Sequence, residues 1–415
     1  MFKFIRMKYV TIAFLVLNSL SAFAQDPFLT ITSNDSINHQ PRIKSSLGVN
    51  MKLNGYMDVF GGLNDNETFN VGLINVFGTN DDKSLKADLY QTQLRLTTHM
   101  VQENGKVIKA VVESDFWGGN GRMRLRKAYV ETEHWQIGQM WNNFGDEDIW
   151  PDIMELEGPP SGVWIRTPHV KYKNTFGNPN WIYEASIEAP IATNFTYDEF
   201  QPLVEEADQF MPDFTFAVKY KKDWGHLRLS SILRSVRYKL DDEIDNFLGY
   251  GVSFSGNYKP NLNNFQFQLV GGKGISAYLT TVSGGGYDGY PSRNNNISAT
   301  PAFGGWASYG YFITTKLHTN IVFGATQFKL DDSERLIVYE SLDDTTVFVE
   351  GDFTHKHYYG IFNLMYDAYE RMTVGLELDY GIKSIDVKGQ VNGVAQALDK
   401  SRDAMRISFG FMYNF

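Results

Sequence analysis

The sequence predicts an all-β transmembrane barrel, up-and-down and antiparallel, of about sixteen strands. Three observations carry this reading. Apolar residues recur with a period of two along most of the chain, short and long connections alternate, and aromatic residues reach 15% although the mean hydropathy is −0.31. A strand with one face in lipid and the other in water reconciles them, because only every second residue must be apolar and a closed sheet leaves no unpaired edge.

The chain begins with Lys3, Arg6 and Lys8, an apolar run from Tyr9 to Leu17, and the small-residue pattern Ala22-Phe23-Ala24. Residues 1–24 therefore read as a cleaved signal peptide, the mature chain starting near Gln25. The apolar run is shorter than the roughly 20 residues a membrane-spanning helix needs. Residues 25–49 are polar and weakly patterned and read as a periplasmic N-terminal extension, and 50–415 as the barrel. The net charge is −10, and removing three basic residues with the signal makes it more acidic, which argues against nucleic-acid binding. Cysteine is absent, which excludes disulfides, thiolate catalysis and a lipid-modified cysteine.

The alternation is clearest in the last strand, where Met405, Ile407, Phe409, Phe411, Tyr413 and Phe415 share one face. Phe411, Tyr413 and Phe415 form the pattern expected to be read by the barrel-assembly machinery. Upstream, Tyr90, Thr92, Leu94 and Leu96 face away from Arg95 and its polar neighbours, Phe214, Phe216 and Val218 away from Lys219, and Val374, Leu376 and Leu378 away from Glu377 and Asp379. The apolar face belongs outside, towards lipid, which inverts the soluble pattern. Short turns, such as 102–106, 131–134 and 222–225, alternate with longer polar segments at 63–85, 142–163, 190–211, 276–302, 332–351 and 387–400. That order predicts short periplasmic turns and long extracellular loops.

Charge gathers in two places. Arg122, Arg124 and Arg126 alternate with Met123 and Leu125; Lys109, Glu113 and Asp115 share the inward face of the strand before, and Arg95 that of the one before that. Such a wall either attracts anionic solutes into a water-filled lumen or merely neutralises its own carboxylates. The third extracellular connection, 142–163, holds Asp146, Glu147, Asp148, Asp152 and Glu155 and ends in Gly158-Pro159-Pro160.

Val112-Glu113-Ser114-Asp115-Phe116, Arg124-Leu125-Arg126-Lys127-Ala128-Tyr129, Gly138-Gln139-Met140-Trp141-Asn142-Asn143-Phe144, Gly158-Pro159-Pro160 and Arg166-Thr167-Pro168 together resemble a run shared by DcaP-like trimeric outer-membrane porins. The resemblance is specific over residues 107–173 and architectural elsewhere. It implies a homotrimer of barrels that admits small hydrophilic, often anionic organic solutes. As in classical porins, the third loop is expected to fold into the lumen, where the acidic residues of 142–163 would face the arginine wall; a solvated surface loop is the alternative. Two features depart from the family: the segment before the first strand is too short for the long coiled coil of some members, and the third loop is unusually acidic.

A passive outer-membrane channel, with outer-membrane lipid around it and neither cofactor nor metal, is the function these features predict. A barrel enzyme of lipase or protease type is the main rival, and a plugged structural or adhesion barrel the other. No GxSxG or HExxH motif is present. His355 and His357 share a strand face, and the expectation for them is solvation near a loop end rather than a metal pair.

Overall fold

Period-two alternation becomes hydrogen-bonded strand along nearly the whole chain. The computed structural model describes residues 27–415 except 62, 64–66, 79–80, 82, 192–203, 241–242, 282–286, 293–295 and 341–345, so the expected signal peptide lies outside the described residues. The first half of the barrel is β1 (Ile43–Phe60), β2 (Ser84–Asp88 continued by Gln93–Val101), β3 (Val107–Asp115), β4 (Arg124–Glu131), β5 (Trp135–Trp141), β6 (Arg166–Phe176), β7 (Asn178–Glu188) and β8 (Asp213–Lys222). The second half is β9 (Gly225–Leu240), β10 (Glu243–Tyr258), β11 (Asn264–Lys273), β12 (Pro301–Phe312), β13 (Leu317–Glu340), β14 (Thr346–Tyr369), β15 (Met372–Val391) and β16 (Val394–Asn414). Each pairs antiparallel with the next, and β16 returns to β1 with Asn414 opposite Asn50 and Ile407 opposite Met57, closing a sixteen-strand barrel.

The faces sort as lipid outside and water inside require. Val112, Leu125, Ile137, Phe216, Phe323 and Leu376 are exposed on the outer surface, whereas Glu113, Asp115, Glu377 and Arg406 are buried within the barrel. At the short-turn end of β5 to β10, rings touch in succession from Trp135 through Tyr172, Tyr183, Phe176, Trp181, Tyr220 and Trp224 to Tyr258. Amphipathic rings favour a membrane–water boundary, and this belt marks one.

Three stretches differ from expectation. β1 begins at Ile43 rather than near residue 50, and Leu29–Thr32 pairs with Lys44–Leu47 at its start, while Phe28 meets Phe415 edge to face at 5.4 Å. Segment 387–400 is not a loop. β15 and β16 run on to Val391 and Val394 and turn on Asn392 and Gly393, whose φ values of 50° and 77° suit a two-residue hairpin of the primed type. Likewise, strand pairing continues through most of 332–351, leaving 341–345 outside the described residues. Above the membrane neither face of a strand meets lipid, so strict alternation is not required there and a strand can pass for a loop.

The true long connections fold inward. Connection 61–83 carries a turn at Val71–Leu73, and connection 274–300 one at Ser276–Tyr278. Asn70 Nδ2 of the first donates to Thr280 O of the second at 3.3 Å, and Thr281 N donates to Pro160 O of connection 142–165 at 2.7 Å. Apolar side chains from these connections, including Phe69, Val71, Phe144, Ile149, Ile153 and Tyr278, pack with inward residues of β9 to β16 into two clusters inside the barrel. Apolar packing thus fills the barrel interior beside β9 to β16, while the inner faces of β3 and β4 bury charged side chains.

Candidate functional site

The charged wall on β2, β3 and β4 is built by cross-strand neighbours. Arg95 is opposite Glu113, which is opposite Lys127, and Asp115 is opposite Arg124. Between Glu113 and Ser114 the pairing jumps from Lys127 to Leu125, so Arg126 is the extra residue of a bulge. The bulge brings Arg126 and Lys127 to the same carboxylate: Arg126 Nε lies 3.0 Å and Lys127 Nζ 3.5 Å from Glu113. Arg95 donates to Glu113 as well, through Nε at 2.7 Å and through Nη2. Arg124 grips Asp115 with two donors at 3.1 and 2.7 Å, and Arg126 adds a third at 2.8 Å. Two buried carboxylates therefore serve four basic groups, and the cluster keeps an excess of positive charge. Arg95, Arg124 and Lys109 leave 29%, 34% and 37% of their side chains exposed.

Arg122 is a correction. It lies on the exposed turn closed by Gly118 N and Arg122 O, before β4 starts, and does not line the wall with the other two arginines. Alternation places Arg122 in phase with Arg124, but a turn built on Gly119, Asn120 and Gly121 at positive φ ends the strand first.

Connection 142–165 leaves β5, crosses the lumen and returns to β6. Near its root, Ser230 Oγ donates to Phe144 O at 2.6 Å and Asn143 N to Glu188 Oε1 at 2.8 Å. Asp146 accepts from His226 at 2.8 Å and Ser255 at 2.7 Å, and Asp148 from Lys219 at 2.8 Å. Further on, Asp152 meets His318 at 2.7 Å, and Lys52 of β1 donates to Met154 O. The tip is held by Glu377 of β15, which accepts the backbone N–H groups of Met154 and Glu155, each at 2.8 Å. Glu155 in turn accepts from Phe69 N at 2.9 Å, tying in connection 61–83. The return limb is pinned by Val163 N on Gln268 and Ser161 Oγ on Gly305 O.

This placement corrects the expectation that the loop's acids face the arginines. Asp146, Asp148 and Asp152 turn instead to His226 of β9, Lys219 of β8 and His318 of β13 respectively. Burial pushes the Asp146 carboxyl up, but Lys219, His226 and Arg228 outweigh it and hold the group well below the usual carboxylate range. Lys219 does the same for Asp148. Glu147 and Glu157 are the loop carboxylates whose fields reach the β4 wall, at Lys127 and Arg124 respectively. Burial and neighbouring Glu155 push Glu157 up to about 7.

Other side chains were not foreseen. Trp141, Trp150, Trp164 and Trp306 form a chain of ring contacts at 6.2, 4.4 and 5.5 Å through the loop to β12, with the Arg166 guanidinium 4.9 Å over Trp141. Lys219 and Glu377 carried a sequence signal, as charges on inward faces, but nothing in alternation says which partner such a charge will meet. His355 and His357 are a second correction. Both are buried rather than solvated, packed against Phe328 and Phe353, with no hydrogen-bond partner for their ring nitrogens among the described residues. Strand β14 continues past the expected loop end and carries them into the lumen. Of the assembly residues, Phe411 pairs with Leu53 and Val374, and Tyr413 stacks on Phe415 at 5.3 Å.

A closed antiparallel barrel with an apolar exterior, a charged interior and a loop laid across the lumen is the architecture of an outer-membrane β-barrel. Among solved structures the fold is shared with the outer-membrane channel DcaP of Acinetobacter baumannii, at a TM-score of 0.68 and 18% identity, covering 92% of this chain and 100% of that one. An anion-selective porin from Comamonas acidovorans matches at a TM-score of 0.54 and 9% identity, covering 90% of this chain and 100% of that one. OprB of Pseudomonas putida matches at 0.52 and 10%, covering 89% and 94%. No family model matches the sequence, and no curated protein is similar to it in sequence. At these identities the likeness is one of fold, and it agrees with the barrel expected from the alternation and with the DcaP-like resemblance read on residues 107–173.

Proposed function

We propose that the protein is a passive channel of the outer membrane for small hydrophilic solutes, with a preference for anionic organic ones, working as a homotrimer. The observation that carries the preference is the excess of basic groups on the β2–β4 wall: Arg95, Arg124, Arg126 and Lys127 share two carboxylates, and three of the wall's basic side chains stay partly exposed. In a narrow low-dielectric passage such an excess raises the local concentration of anions. The loop 142–163 narrows the passage from the opposite side and is fixed there by Glu377, Lys52 and His318. No step of the reading needs a catalytic group or a cofactor. The names of two similar structures, an outer-membrane channel and an anion-selective porin, support it.

A second reading has an observation of its own. The two apolar clusters inside the barrel are what a plugged structural barrel would contain. Liposome swelling separates the two: proteoliposomes of the purified protein should swell in solutions of small carboxylates and sugars, whereas a plugged barrel gives the rate of empty liposomes.

A further inference from the structure

Where connection 142–165 leaves β5, its root and the inner faces of β6 to β9 line a small, partly open niche. Most of the charges around it are spent on one another. Arg228 pairs with Glu184 at 3.1 Å, and Lys219 with Asp148 at 2.8 Å. Two are not: Lys171 of β6 and Glu147 of the loop both line the niche, and among the described residues neither makes an ion pair or a side-chain hydrogen bond. Asn142 adds a third free group. Its Oδ1 is fixed by Gly145 N at 3.0 Å, and its Nδ2, buried in the same niche, has no partner.

Resting on the channel reading above, we propose that this niche is a subsite for a zwitterionic head group of the kind a small α-amino acid carries. The solute carboxylate is received by the Lys171 ammonium and the Asn142 amide, and its ammonium by the Glu147 carboxylate. Lys171 and Asn142 are both more than nine-tenths buried, so a cation and an amide N–H are held there without a partner of their own, while the Glu147 carboxylate stands exposed at the edge of the same niche. A simple anion relieves Lys171 but is repelled by Glu147 and Glu184; a simple cation has the converse difficulty. A zwitterion relieves both, and charge-assisted hydrogen bonds at each end orient it. Because Glu147 is exposed, the solute ammonium keeps part of its water and the bound solute can exchange.

The test is planar-bilayer recording from the purified full-length channel at neutral pH, with L-alanine, acetate or methylammonium added to one side. L-Alanine should reduce the potassium chloride current in a saturable way, and acetate and methylammonium at equal concentration should act more weakly. Lys171→Gln and Glu147→Gln should each raise the half-saturating alanine concentration about tenfold, the loss expected for one charge-assisted hydrogen bond. Glu147 is exposed, so its variant serves even where Lys171→Gln fails to fold. Equal effects of alanine and acetate, or an alanine effect unchanged in Glu147→Gln, overturn the subsite while the channel reading stands. Absence of any current overturns both.

Discussion

The carboxylate of Glu377 on β15 accepts the backbone N–H groups of Met154 and Glu155, both at 2.8 Å, on the far side of the lumen from the strands that carry the loop. Asn363 Nδ2 donates to the same carboxylate at 2.9 Å and to Asp152 O at 2.8 Å. One buried acid thus holds the tip of connection 142–165. A hydrogen bond contributes about 0.5 to 1.5 kcal/mol net, and three on one side chain are enough to keep a short segment in place. Glu377→Ala should free the tip and give single-channel currents that are larger and noisier. Glu377→Gln, which can accept only through one oxygen, should fall between. Currents from Glu377→Ala identical to wild type would show that the loop does not depend on this clamp.

Selectivity should depend on Arg124 and Arg126 and not on Arg122. Changing both wall arginines to glutamine leaves Glu113 and Asp115 less neutralised, so the reversal potential in a salt gradient should move towards cations. Arg122→Gln, on its exposed turn, should leave it where it was. A matching shift from Arg122→Gln would mean that the turn reaches the passage after all.

The channel should also respond to pH near neutrality. Glu157 sits near Arg124 with its carboxyl pushed up to about 7, so raising the pH through that value ionises it and adds a negative charge beside the wall. Anion preference should fall as pH rises from about one unit below to one unit above the midpoint. Glu157→Gln should flatten the profile. A profile unchanged in that variant assigns the titration to another group.

The seam makes a stability prediction. Arg406 of β16 reaches Asp58 of β1 through Nε at 2.6 Å and Nη2 at 3.0 Å, and lies over the ring of Tyr56 at 4.2 Å. Breaking a buried pair from one side costs about 3 to 5 kcal/mol. Arg406→Met should therefore lower the temperature at which the barrel loses its folded mobility on a detergent gel, and adding Asp58→Asn should recover part of the loss. No change in Arg406→Met would show that the seam is held by its backbone ladder alone.

Much of this was legible in the sequence, for reasons that also explain the gaps. Lipid demands alternation, so β16 and its Met405 to Phe415 face could be read directly, as could the inward placement of Arg95, Glu113 and Arg124. Above the membrane that demand ends, and the upper parts of β13 to β16 looked like loop although Asn392-Gly393 marked a hairpin. Partner choice was harder still. Arg126 and Lys127 share Glu113 because of a one-residue bulge, and Asp146 finds His226 across the lumen; neither follows from spacing. The inward fold of connections 61–83 and 274–300 depends on contacts such as Asn70 with Thr280, which no local pattern announces.

Current and its sign report most directly on whether the basic wall governs an open channel. Wild-type protein in a planar bilayer under a potassium chloride gradient near 0.1 M, where charges are screened over about 10 Å, should pass steady current with a reversal potential on the anion-selective side. At about 1 M, where the screening length falls to about 3 Å, that selectivity should shrink. A barrel that passes no current, or one that is cation-selective at low salt, would contradict the proposal that the basic wall of β2 to β4 governs an open channel.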